Sequence, residues 1–247
     1  MSDNATVAII PVRGNSKGIP RKNFVDFGGK PLFLWTVEAA VESGIFDRVV
    51  VSTEDAEIKA IFVDYILSLA TRKLVDVFAI DRPSYLSQDH VQLDEVVLHA
   101  LRILEHNWDY RPETMCLLQA TSPLRTADHI INAFRQYSGK GTLFSAYVNK
   151  RYHWAVDYSV APVLHNPEKR LGRQWESRQI YTENGAIYIF PAKRLSLERT
   201  LRLYPFDIYV MPEEDGWEID SQWELDVARL RLEKYGLHHP NMEPTIG

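Results

Sequence analysis

Residues 6–23 read "TVAIIPVRGNSKGIPRKN". After Thr6 the next six are apolar, and the seven together are continuous and rich in β-branched side chains, the pattern of a short strand buried on both faces. The character then changes at once. Arg13, Lys17, Arg21 and Lys22 are cations, nothing in 11–23 is acidic, and Pro11, Gly14, Gly18 and Pro20 punctuate the run. A buried strand that feeds a basic, glycine-containing loop is the opening of an α/β sheet, which binds ligands beyond the carboxyl ends of its strands.

The rest of the chain repeats that rhythm. Short apolar runs at 48–53, 75–80, 114–119, 142–148, 184–190 and 206–211 read as strands. Between them, 30–44, 54–73, 93–107 and 125–138, and after the last of them 221–236, read as amphipathic helices. Gly44 stops the first helix, Thr126 caps the fourth, and Ser221 with Glu224 forms a capping box on the last. The alternation predicts a mostly parallel central sheet with helices on both faces. At 247 residues one domain, 1–247, is expected, with an irregular polar and aromatic insertion at about 149–183.

Composition excludes several classes. The formal net charge of −5 argues against a general nucleic-acid binder. No apolar run approaches a membrane span. The N-terminus lacks the basic region and long apolar stretch of a secretory signal. The single cysteine, Cys116, lies in an apolar run and reads as a buried thiol. Cytosol is therefore the expected compartment.

The basic loop is neither of the two commonest phosphate loops. It lacks the Gly-Lys-Ser/Thr triplet at P-loop spacing and the Gly-x-Gly-x-x-Gly of dinucleotide binders. Its glycines free backbone N–H groups between interleaved cations, a chemistry that suits a triphosphate. A solvated basic turn has the same composition, and the place after the first strand favours the phosphate site.

The same residues carry a resemblance. "RGNSKGIPRKN" is similar to the opening motif of the acylneuraminate (CMP-sialic acid) cytidylyltransferases. The resemblance continues in "KPLFLWTVEAA", "FDRVVVSTEDAEI", "DRPSYLSQD", "LLQATSPLRTADHI" and "NGAIYIF", in order, across most of residues 5–235. It implies a Rossmann-like nucleotidyltransferase fold and a homodimer. It implies transfer of CMP from CTP to a nine-carbon 2-keto sugar acid, with Mg²⁺ as cofactor and pyrophosphate as the second product. A related enzyme using an octulosonic acid or another nucleotide is the alternative. Arg13, Gly14, Asn15, Ser16, Lys17, Lys22, Asn23 and Arg82 fall in the motifs that hold the nucleotide, with Lys22 at the α-phosphate. Arg13, Lys22 and Asp220 are the residues expected to carry the chemistry.

Two further groups complete the expected site. In "GWEIDSQWEL" (216–225), Glu218 and Asp220 stand two apart, so an extended backbone turns both carboxylates to one face. The resemblance has an Asp-x-Asp here as metal ligands, and Glu218 departs from it by one methylene. Glu54 and Asp55 read instead as a helix start. On the sugar side, Gln119 closes the fourth strand, with Thr121 and Ser122 as hydrogen-bonding groups and Arg125 as a cation or a surface residue. Arg173, Gln174 and Arg178 could meet a carboxylate. Tyr152, His153, Trp154 and Tyr188 could line the sugar's side groups, and insertion residues could equally pack on a second subunit. Thr182, where the family often has arginine, and Val91 and Leu93 are departures that bear on specificity.

Overall fold

A computed structural model of the chain describes residues 5–69, 75–149, 151, 153–156, 160–163 and 180–237. The first strand shows why its sequence has no polar side. Ala8 and Ile10 join a cluster with Phe33, Val37, Ile58, Phe62 and Ile130. Val7 and Ile9 join a second cluster with Val97, Leu101, Leu104 and Leu195. Each face of the strand is buried under helices, so apolar residues fill both.

In chain order the strands are β1 (Thr6–Pro11), β2 (Asp26–Phe27), β3 (Lys30–Pro31), β4 (Arg48–Thr53), β5 (Asp76–Asp81), β6 (Thr114–Leu117), β7 (Thr142–Asn149), β8 (His153–Val156), β9 (Val160–Val163), β10 (Ile180–Pro191) and β11 (Phe206–Val210). The helices are α1 (Leu32–Ser43), α2 (Ala56–Leu69), α3 (Leu93–Asn107), α4 (Ala127–Gln136), α5 (Ala192–Glu198) and α6 (Gln222–Tyr235). The central sheet runs β11-β7-β10-β6-β1-β4-β5. Only β10 is antiparallel to its neighbours. From β1 the chain winds outward through β4 to β5, then returns to place β6 on the other side of β1. That reversal is the switch point where such sheets open a crevice.

Helices α1, α2 and α4 contribute to the first cluster, and α3 and α5 to the second. A third cluster joins Ile19, Phe27, Leu32 and Leu124 to Ile219, Leu225 and Ala228. It fastens the opening loop to the segment before α6. The expected caps are present: Thr126 and Ser221 each close a capping box, and Gly44 ends α1 with φ 63°. No described helix is long and apolar enough to cross a membrane.

The elements differ from expectation at their edges. Residues 30–31 pair with 26–27 instead of starting α1. Glu54 and Asp55 precede α2, and Asp55 Oδ1 accepts the N–H groups of Glu57 and Ile58 as its cap. Strand β10 starts at Ile180, four residues earlier than read, and its first residues pair with 146–149. The end of the expected insertion is therefore strand. Within it, β8 and β9 form an antiparallel ribbon.

Candidate active site

The second half of the opening loop is built into the third cluster. Ile19 anchors it, and Lys22–Phe24 forms one 3₁₀ turn entered through Arg21 in the left-handed region at φ 53°. Lys22 is thereby carried inward, with 8% of its side chain exposed. Its Nζ donates to Ile219 O at 2.6 Å and to Asp220 Oδ1 at 2.7 Å. Asp220 itself keeps 66% of its side chain open to solvent. Gly18 lies so close to Asp220 that a Cβ there would overlap the Asp220 carbonyl oxygen. Loop and acidic segment thus touch through backbone as well as side chains. Arg21 points elsewhere: it pairs with Glu57 at 2.6 Å and lies over the Phe24 ring at 3.8 Å.

The first half of the loop is held by residues that follow β4 and β5. Gly14 N–H donates to Glu54 Oε1 at 2.8 Å. Arg82 Nη2 donates to Glu54 Oε2 at 2.6 Å and to Val12 O at 3.2 Å, and Ser87 Oγ donates to Glu54 Oε2 at 2.7 Å. Burial alone would push the Glu54 carboxyl up, but the bonds from Arg82, Ser87 and Gly14 outweigh it and the pKa falls below its ordinary value. Arg13 Nη1 and Lys17 Nζ reach one carboxylate, at 2.7 Å to Asp89 Oδ1 and 3.0 Å to Asp89 Oδ2. Asn15 is exposed, Ser16 is half-buried, and buried Asn23 donates to Arg13 O at 2.8 Å.

Across the crevice, Gln119 follows β6. A Cβ on Gly185, which has φ +71°, would come within 2.6 Å of Gln119 Nε2 and 3.5 Å of Glu218 Oε2. Only glycine combines that backbone with that approach. Thr121 Oγ1 donates to Glu218 Oε1 at 3.2 Å, and Ile219 N–H donates to Thr121 O at 2.8 Å. Gln119, Thr121, Gly185 and Glu218 therefore meet at one place, with Asp220 two residues along. Burial and the neighbouring Asp220 charge raise the Glu218 carboxyl. Tyr188 Oη donates to Glu183 Oε1. Burial, then that carboxylate, pushes the Tyr188 phenol up.

A scan of family models matches residues 7–227 to the family described as cytidylyltransferase. The chain belongs to the cytidylyltransferase family. Pseudaminic acid cytidylyltransferase of Campylobacter jejuni serotype O:2 is 30% identical over 91% of this chain and 94% of that protein. N-acylneuraminate cytidylyltransferase of Escherichia coli O18:K1:H7 is 30% identical over 90% of this chain and 51% of that protein. The chain thus spans about half the length of the second relative. Solved structures share the fold at lower identity. CMP:2-keto-3-deoxy-manno-octonic acid synthetase complexed with CTP gives a TM-score of 0.63 at 14% identity, covering 93% of this chain and 99% of that one. 4-diphosphocytidyl-2C-methyl-D-erythritol synthase from Anaerococcus prevotii gives 0.66 at 11%, covering 94% and 99%.

In this cytidylyltransferase the sequence readings of Ser122 and Arg125 need correction. Ser122 is fully buried and its Oγ has no hydrogen-bond partner among the described residues, so it has no surface to offer a sugar. Arg125 is neither a cleft cation nor a surface residue. It is buried, and Nη1 donates to Gln119 O at 3.2 Å and Ala186 O at 3.0 Å, bracing the segment after β6 that carries Gln119 against β10, which carries Gly185. Arg82 lies beneath the loop with 4% of its side chain exposed, as its support. Tyr152, Arg173, Gln174 and Arg178 lie outside the described residues. Glu54, read only as a helix start, also holds the loop from below. Asp89, in "DRPSYLSQD", lies in the loop that follows β5, and its charge, opposite to that of Arg13 and Lys17, is the one sequence signal that points to it.

Proposed function

We propose that this cytidylyltransferase moves CMP from CTP to the anomeric hydroxyl of a nine-carbon 2-keto sugar acid. The single observation that carries this is the buried Lys22 ammonium, 2.7 Å from Asp220 at the junction of the basic loop and the acidic segment. The likeness to the pseudaminic and N-acylneuraminate enzymes supports the choice of a nonulosonic acid.

The proposed reaction is one in-line displacement. The sugar oxygen bonds to the α-phosphorus, the bond to the pyrophosphate oxygen breaks, and the hydroxyl proton is released. Arg13 and Lys17 hold the triphosphate tail. Lys22 sits at the α-phosphate, where charge on the phosphoryl oxygens grows in the transition state, and a fixed cation stabilises that state above the ground state. Gln119 orients the sugar, with Tyr188 at its side. No covalent enzyme intermediate is required.

The acidic pair fits Mg²⁺. Among the described residues no group of three or more His, Cys, Asp or Glu could hold a metal. Two carboxylates plus phosphate oxygens are the usual magnesium set, and Asp220 presents an open oxygen. Asp220, with Glu218 behind it, would hold the ion. When bound, it would neutralise charge on the triphosphate and polarise the reacting phosphoryl group.

Homodimer formation belongs to the same reading. The outward row Phe206, Ile208 and Val210 on edge strand β11 is exposed and apolar, as a subunit contact would need. Sedimentation should return twice the chain mass. The deciding experiment is a panel of CTP, GTP and ATP against sialic, legionaminic, pseudaminic and octulosonic acids, read by pyrophosphate release. Release with CTP and a nine-carbon acid is expected. Release only with an octulosonic acid, or with GTP, would replace this reading.

A further inference from the structure

The segment 82–89 is tied to the opening loop in two different ways. One link is inside: Arg82 and Ser87 both reach Glu54, which holds Gly14 N–H. The other is outside: Asp89 spans Arg13 and Lys17, giving one carboxylate oxygen to each. The first link has a nearly sealed guanidinium, with 4% of the Arg82 side chain exposed. The second lies in water, with 77% of the Lys17 side chain and 44% of Asp89 exposed.

A carboxylate that takes two cations on separate oxygens offers them the geometry of one phosphate group. Ion pairs in water are weak and readily exchanged. A polyphosphate brings more charge and more acceptor oxygens to the same two side chains. We infer that Asp89 is an internal stand-in for the phosphate tail: it occupies Arg13 and Lys17 in the empty enzyme, yields them to the triphosphate, and retakes them as pyrophosphate leaves. It is a positioning residue, acting through the two cations and touching no reacting atom. It keeps them gathered and oriented between turnovers. It also lowers affinity for any polyphosphate, product included, since every such ligand must displace it. The inference rests on the reading of this loop as the triphosphate site.

The test compares the wild-type chain with Asp89→Asn, which keeps the shape and removes the charge. Binding of inorganic pyrophosphate, CTP and uncharged cytidine is measured by calorimetry at low and moderate salt. Asp89→Asn should bind pyrophosphate and CTP roughly three- to tenfold more tightly, as expected for removing an exposed competing charge. Cytidine affinity should not change. The gain should shrink with salt and in a Lys17→Ala background, because the two residues are coupled. Pyrophosphate should also become a stronger product inhibitor. If the wild type binds pyrophosphate and Asp89→Asn binds it no better, the stand-in role is overturned while the phosphate site survives. Equal tightening for cytidine would also overturn it, since that is a change of pocket shape. If neither protein binds pyrophosphate or CTP, the loop is not a phosphate site and both readings fall.

Discussion

The opening loop has two halves of opposite construction. Residues 19–23 are anchored in an apolar cluster through Ile19, turn Arg21 outward to Glu57 and carry Lys22 inward, almost sealed from water. Residues 13–17 deliver two cations, Arg13 and Lys17, that lie in water against an exposed carboxylate. The difference maps onto the proposed reaction. The group at the reacting phosphorus must not move, because electrostatic stabilisation depends on a dipole or charge fixed before the reaction. Groups that hold a departing pyrophosphate must let go. Burial suits the first demand and exposure the second.

The largest expected effects break the rigid half. Asp220→Asn should abolish Mg²⁺-dependent pyrophosphate release, and titrating Mg²⁺ upward should not restore it. Full activity at ordinary magnesium would move the metal elsewhere. Lys22→Ala should lower kcat by at least about 100-fold, the scale of one lost transition-state donor. A folded variant with near-normal turnover would remove Lys22 from the chemistry and erase the contrast between the halves. Gln119→Ala sharpens the comparison from across the crevice. It should raise KM for the sugar acid roughly tenfold, the scale of one lost hydrogen bond, and leave KM for CTP unchanged. A matching rise for CTP would mean that Gln119 acts by shaping the whole crevice.

Much of this is legible because short apolar runs mark strands, most clearly the inner ones that are buried on both faces. The sequence marks all seven strands of the main sheet and the order of the five long helices. What escaped is short or depends on tertiary contact. Helix α5 spans Ala192–Glu198, too few residues for a periodic signal, directly after a strand. The first residues of β10, "IYTE", are mixed in polarity, so they read as part of an irregular insertion although they pair with β7. Arg125 shows the limit of residue type. Beside the cleft in sequence it suggests a ligand cation, yet its guanidinium is buried on two carbonyls. The Arg13–Asp89 pair joins positions 76 apart, and only the parallel winding of β1, β4 and β5 brings them together.

The smallest effect on turnover, and the one that separates support from chemistry, belongs to Glu54. It lies under the exposed half of the loop but is itself a fixed part, with 21% of its side chain exposed beside the nearly sealed Arg82. Glu54→Gln leaves the guanidinium charge without its partner. Breaking a fully buried pair costs roughly 3–5 kcal/mol, and partial exposure here should bring that to about 2 kcal/mol at neutral pH. The hydrogen bonds hold the folded-state pKa of Glu54 below its ordinary value, so the folded protein releases this proton more readily than the unfolded chain. Its contribution is therefore present above the unfolded pKa and is lost as pH falls through the folded one. Thermal unfolding should show wild type above Glu54→Gln at neutral pH, with the two curves converging in acid. KM for CTP should rise with the loosened loop while kcat stays within a few fold. A gap that persists in acid would show that the lost stability comes from shape. A collapse of kcat would place Glu54 with Lys22 among the groups that act on the phosphate, and the loop would no longer divide into a support and a reacting end.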